Sequence, residues 1–160
     1  TDQKRAEQMK EQGIHLNLLN QIRRHEGLSL TLYKCSGDPP KQTIGFGRNI
    51  EDNGISEAEA EFMLLNDLLA CESELKDEGW YNQLDETRRA VVLNMAFNLG
   101  KPTLLKFKKF IGALSDDDYE TASKEMVTGS NGGESKWASQ VGKRAYELAD
   151  QMRTGEWQDV

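Results

Sequence analysis

At 160 residues the chain is long enough for one domain, or one domain with two lobes, burying roughly 70% of the surface its unfolded form exposes. A hydrophobic content of 37% against 29% charged residues, with no apolar run approaching the ~20 residues of a membrane span, excludes membrane insertion. A formal net charge of −7 argues against nucleic acid as a partner, and two cysteines, Cys35 and Cys71, allow at most one bridge, which favours a reducing compartment.

Residues 1–13 read as a polar N-terminal extension, rich in Glu, Lys and Arg and expected to fray. They lack the apolar segment of a secretory signal, so export is expected to depend on something else. His15, Leu18, Leu19 and Ile22 then recur at helical spacing and run into Arg23-Arg24-His25-Glu26. This predicts a short amphipathic helix with Glu26 at its C-terminal edge, stopped by Gly27. The period changes next: Leu28, Leu30 and Leu32 alternate with Ser29, Thr31 and Tyr33, and Ile44 and Phe46 alternate with Thr43 and Gly45. Two strands are expected, joined through the turn formers Ser36-Gly37-Asp38-Pro39-Pro40.

Asp52-Asn53-Gly54 marks a turn, and Ser56-Glu57-Ala58-Glu59 is a capping-box pattern that opens a helix. Running through Phe62, Leu65 and Leu69 to about Lys76, that helix would be about 30 Å long at 1.5 Å per residue, enough to connect two lobes. The stretch from Leu84 to Leu99 is apolar nearly all round, as expected for a helix surrounded by helices. Further amphipathic helices are predicted through Phe107, Phe110, Ile111 and Leu114, through Tyr119, Ala122 and Met126, and through Val141, Ala145, Leu148 and Met152, with a loop at Ser130-Asn131-Gly132-Gly133.

That outline alone does not name a function. The run His25-Glu26-Gly27-Leu28-Ser29-Leu30-Thr31-Leu32-Tyr33-Lys34, followed by Thr43-Ile44-Gly45-Phe46-Gly47, resembles the catalytic segment of bacteriophage lysozymes of the T-even phage type, glycoside hydrolase family 24. The resemblance extends through Ile55-Ser56-Glu57-Ala58-Glu59-Ala60, through Arg88-Arg89-Ala90 to Gly100, through Ser135-Lys136-Trp137 to Arg144, and through Arg153-Thr154-Gly155-Glu156-Trp157, over roughly residues 14–158. It implies an α+β, lysozyme-like fold: a small lobe with a β-hairpin at about 26–55, a connecting helix at about 56–76, and a helical lobe at about 80–158, with the substrate cleft between lobes.

The resemblance also implies roles. Glu26 protonates the glycosidic oxygen, the residue nine positions later activates or stabilises, and Thr43 helps to place the water. The second of these positions holds Cys35, where the family's better-known pattern has Asp, and the loop before Thr43 is two residues longer. Cys35 could serve as nucleophile or base, provided its thiol, ordinarily of pKa near 8.5, is helped to ionise; or it could be a half-buried structural Cys. Asp38 is the nearby carboxylate that could substitute. Arg144 matches the arginine that supports the catalytic Glu. Phe97, Asn98, Lys136 and Gln140 fall at positions that line the cleft and contact sugars, although Phe97 reads equally well as core. An ion pair between Arg48 and Asp67 is implied as well.

Trp80, Trp137 and Trp157 read as packing residues, and His15 and His25 have no partners at metal-ligand spacing, so no metal or other cofactor is expected. The implied protein is a monomeric muramidase acting on bacterial peptidoglycan. It would be made in the host cytoplasm and reach the wall by holin-type release or within a virion. Two other readings stay open: a lytic transglycosylase using Glu26 alone, and an inactive lysozyme-fold module that binds the wall or serves as a structural part of a virion.

Overall fold

The computed structural model describes residues 2–158 and has an α+β fold. The chain divides into two compact units, Thr1–Ala60 and Glu61–Val160, and each is described by itself.

In the first unit, α1 (Asp2–Glu11) shows that the polar extension is helical, where fraying was expected. Its Ala, Glu, Gln, Lys, Arg and Met residues are strong helix formers and contain no Gly or Pro, so propensity supplies what amphipathic patterning does not. Helix α2 (Leu16–Glu26) begins one residue after His15, whose ring nitrogen caps it by accepting from the Asn17 amide at 3.0 Å. Gly27, at φ +71°, ends it and donates to the Arg23 carbonyl at 3.0 Å.

Strand β1 (Ser29–Lys34) pairs antiparallel with β2 (Gln42–Gly45), placing Tyr33 opposite Thr43 and Lys34 opposite Gln42, with a register irregularity between Ser29 and Tyr33. A third strand, β3 (Arg48–Asn49), extends the expected hairpin to a three-stranded sheet in the order β1-β2-β3. Two residues are too few to display alternation, so this strand leaves no periodic trace. Where a turn was expected, α3 (Ile50–Asn53) forms a single helical turn, its Asp52 amide donating to the Asn49 side chain at 3.1 Å.

The capping box forms as read. Ser56 Oγ accepts from the Glu59 amide at 3.1 Å and Glu59 Oε1 accepts from the Ser56 amide at 2.9 Å, opening α4 (Glu57–Leu75). The same Glu59 oxygen receives Arg48 Nη1 at 2.5 Å, so the acid that Arg48 engages is Glu59 and not Asp67. The capping box explains this: it already turns Glu59 back toward the helix start. Arg48 and the Ser56 amide hold the Glu59 carboxyl at a pKa of about 2, well under its ordinary 4.5.

In the second unit, α5 (Gly79–Asn82) and α6 (Glu86–Leu99) follow α4. Asp85 caps α6 by accepting from the Arg88 amide at 3.0 Å, and Val91, Val92, Met95 and Ala96 are buried on it, as the all-round apolar pattern predicts. Around it stand α7 (Lys101–Leu104), α8 (Lys108–Ser115), α9 (Tyr119–Val127), α10 (Lys136–Val141) and α11 (Lys143–Thr154). The predicted last helix is therefore two, because Gly142 takes φ +59° between them and breaks the ladder. Leu75, Leu104, Leu114, Met126 and Met152 complete the buried core.

One contact closes this unit on itself. Arg88 Nε donates to the Met152 carbonyl at 2.7 Å and Nη2 to the Arg153 carbonyl at 3.2 Å, while its guanidinium lies 3.8 Å from the centre of the Tyr119 ring. In return, Gln151 Nε2 donates to the Thr87 carbonyl at 3.1 Å.

Both cysteines are free thiols. Among the described residues no helix is long and apolar enough to cross a membrane.

Candidate active site

Glu26 is the last residue of α2, and its side chain lies across the turn between β2 and β3. A Cβ built on Gly47 would stand 2.7 Å from Glu26 Oε2 and 3.0 Å from Cδ, so the carboxyl rests directly on the Gly47 backbone. Gly47 also has φ +84°, a conformation that disfavours any side chain. Two requirements therefore converge on this glycine. One helical turn earlier, the Arg23 guanidinium sits 5.4 Å from the centre of the Phe46 ring. Side chains 23 and 26 thus fasten the end of α2 to residues 46 and 47. Sequence reasoning used Gly47 only as a motif member and did not single out Arg23; the three-residue spacing to Glu26 was the available signal.

Cys35 and Thr43 come together at the loop end of the hairpin. The Cys35 amide donates to the Lys41 carbonyl at 3.0 Å, and the Lys41 amide returns a bond to Cys35 Sγ at 3.3 Å, closing the loop of residues 36–40. Thr43, 3% exposed, donates its hydroxyl to the same Lys41 carbonyl at 2.9 Å. The amides of Lys41 and then Gly37, aimed at the sulfur, hold the Cys35 thiol below its ordinary pKa, outweighing the opposing effect of burial. The Thr43 hydroxyl also reaches the sulfur, though its one hydrogen serves either the carbonyl or the sulfur at a time.

The Lys41 ammonium is engaged elsewhere, by Glu51 at 3.3 Å and Asp52 at 3.1 Å. Backbone amides, not the lysine charge, therefore favour the thiolate. A backbone donor carries no residue-type signal, and sequence reasoning missed it. Asp38 is exposed in the loop, and among the described residues its carboxylate takes part in no ion pair.

The remaining expected residues lie in the helical unit. Arg144 donates from Nε and Nη2 to Asn94 Oδ1 at 3.0 and 2.7 Å, so its fork is oriented by an asparagine on α6 that sequence reasoning did not select. Asn98 Oδ1 accepts from Trp137 Nε1 at 2.8 Å, and Trp137, 3% exposed, is packing as expected. Phe97 is 41% exposed, which removes the core reading of its ring. Lys136 and Gln140 line a cavity of about 610 Å³ together with Phe107 and Trp137, whose rings meet edge to face at 6.4 Å.

Residues 23–147 match the family described as phage lysozyme. A curated protein of Dictyostelium discoideum, "Probable T4-type lysozyme 2", is 29% identical over 75 residues, 47% of this chain and 41% of that protein. The chain therefore spans about two fifths of that relative's length. The family match runs from the last turn of α2, where Glu26 sits, through the sheet that carries Cys35 and Thr43 and on into α11. On that coverage, the chain belongs to the phage lysozyme family.

Proposed function

We propose that this protein is a muramidase that hydrolyses the β-1,4 bond between N-acetylmuramic acid and N-acetylglucosamine in bacterial peptidoglycan, serving lysis of a phage's host. The observation that carries the reading is the seat of Glu26: a carboxyl presented from a helix end, held against the Gly47 backbone in the unit that also holds the Cys35–Thr43 pair.

In this reading the Glu26 carboxyl gives its proton to the glycosidic oxygen as the bond from that oxygen to the anomeric carbon breaks. Thr43 Oγ, with its own hydrogen engaged by the Lys41 carbonyl, keeps lone pairs to accept a hydrogen from the attacking water. The Cys35 thiolate removes that water's proton as its oxygen bonds to the anomeric carbon. Arg144, oriented by Asn94, serves as a catalytic-support residue, and Phe97, Asn98, Lys136 and Gln140 contact the glycan. The enzyme works as a monomer, made in the host cytoplasm and delivered by holin-type release or within a virion.

A second reading is favoured by one feature, the thiol at the position where a carboxylate would be expected. A lytic transglycosylase needs Glu26 alone and uses the sugar's own hydroxyl as nucleophile. Digestion of purified peptidoglycan, followed by turbidity and by mass spectrometry of the fragments, tests both. Reducing ends are expected; anhydro-muramic ends would replace hydrolysis by transglycosylation, and binding without turbidity loss would leave a wall-binding module.

A further inference from the structure

The Cys35–Thr43 pair is held through a residue that touches no reacting atom in the proposed chemistry. Three bonds converge on the backbone of Lys41: its carbonyl accepts from the Cys35 amide at 3.0 Å and from the Thr43 hydroxyl at 2.9 Å, and its amide donates to Cys35 Sγ at 3.3 Å. Lys41 stands one residue before β2, outside the strand. A turn of the 40–41 peptide alone would take the amide off the sulfur, so whatever holds residue 41 governs the sulfur's donor.

The hold comes from its side chain. Lys41 Nζ reaches Glu51 Oε2 at 3.3 Å and Asp52 Oδ1 at 3.1 Å, both on the single turn α3. The other Glu51 oxygen accepts from the Gln42 amide at 3.4 Å, so one carboxylate straddles residues 41 and 42. Asp52 is fixed from behind: its Oδ2 accepts from Asn49 Nδ2 at 2.9 Å, and its amide donates to Asn49 Oδ1 at 3.1 Å. Both ion pairs are partly exposed, and such pairs add little to stability, so stability is a poor account of this arrangement.

We propose that Lys41, latched to Glu51 and Asp52 on α3, is a positioning residue: the latch aims its amide at Cys35 Sγ and its carbonyl at the Thr43 hydroxyl, keeping sulfur and hydroxyl in register. The inference rests on the muramidase reading for the use of the thiolate, and it adds that the acids of α3 govern that thiolate through a stretch of backbone. The charged groups on the surrounding elements are Lys34 on β1, Asp38 in the loop, Lys41 itself, Arg48 on β3, and Glu51 and Asp52 on α3. Direct electrostatics and positioning predict opposite signs here. Carboxylates on the neighbouring turn disfavour a thiolate by their field, so neutralising them would by charge alone ease ionisation; releasing the latch takes away the amide and hinders it.

The test follows alkylation of Cys35 by the neutral reagent iodoacetamide against pH in the full chain, read by mass spectrometry of the Cys35 peptide with Cys71 as internal standard. In the Glu51→Gln, Asp52→Asn double variant the midpoint should rise, and the rate at neutral pH should fall about threefold or more, with the high-pH plateau and the circular dichroism spectrum unchanged. Lys41→Met combined with Asp52→Asn removes one charge of each sign and should raise the midpoint likewise; it decides the question if the first variant does not fold. Turbidity loss by either variant should be weakened at neutral pH and recover as pH is raised. A midpoint that stays in place, or that falls as charge alone requires, overturns the inference and leaves the muramidase reading standing. A midpoint that rises in a protein whose Cys35→Ala variant still lyses walls normally upholds the latch and removes only the thiol from catalysis.

Discussion

At the scale of single residues, the proposed chemistry turns on three side chains and one missing one. Glu26→Gln preserves shape and removes the transferable proton, so the rate of turbidity loss on purified wall should fall at least about a hundredfold with the thermal midpoint unchanged. Gly47→Ala acts on the same carboxyl from the other side. Its Cβ would meet Oε2 at 2.7 Å in a backbone conformation of φ +84°, so Glu26 must move. Activity should drop sharply for a stability loss of about 1–3 kcal/mol, measured by denaturant unfolding beside the same lysis assay. Cys35→Ala should fold and be inactive, and Cys35→Asp should recover lysis; full activity in the alanine variant would remove the thiol from the mechanism. Because amides lower the Cys35 pKa, the thiolate fraction rises through a midpoint below that of an ordinary cysteine, and the alkylation rate at Cys35 should follow that curve. Glu26, Cys35 and Thr43 could be proposed from the sequence because motif and spacing name side chains. The Lys41 and Gly37 amides that condition the sulfur were not, since every residue but proline has one.

At the scale of elements, local signals were legible where a side chain bonds its own helix and illegible where an element is very short or ended by a single dihedral. Ser56 and Glu59 announced α4 in the sequence, and the reciprocal bonds are present. Strand β3 has two residues, and the gap between α10 and α11 depends on Gly142 adopting φ +59°, so a periodic pattern passed through both without a mark. The expected partner of Arg48 was misplaced for a related reason: the resemblance supplied an acid further along the helix, while the capping box had already brought Glu59 within reach. Glu59 carries a measurable consequence. Its pKa is depressed from 4.5 in the unfolded chain to about 2 in the folded one, so its stabilising effect is complete above 4.5 and is lost as pH falls toward 2. The thermal midpoint of the wild type should therefore fall more steeply than that of Glu59→Gln between those limits. Parallel curves would mean that the Arg48 contact does not persist in solution.

At the scale of the whole molecule, the apolar stretch around Val91, Val92 and Met95 made the helical core legible, because a helix without a polar face has nowhere to sit except among other helices. What the stretch could not reveal is how the end of α11 is secured, since the arginine responsible lies 64 positions from the carbonyl it binds. Helix ends ordinarily fray, opening and closing many times for each global unfolding event. Here the Met152 and Arg153 carbonyls of α11 are occupied by Arg88, and Gln151 reaches back to Thr87. The last turn of α11 therefore cannot loosen without releasing the first turn of α6. In deuterium exchange, the amides of Met152, Arg153 and Thr154 should thus persist as long as those of Val91–Met95, an unusual lifetime for a helix end. Arg88→Ala should let those three amides exchange early while the centre of α6 keeps its protection, separating terminal fraying from loss of the core in one time course.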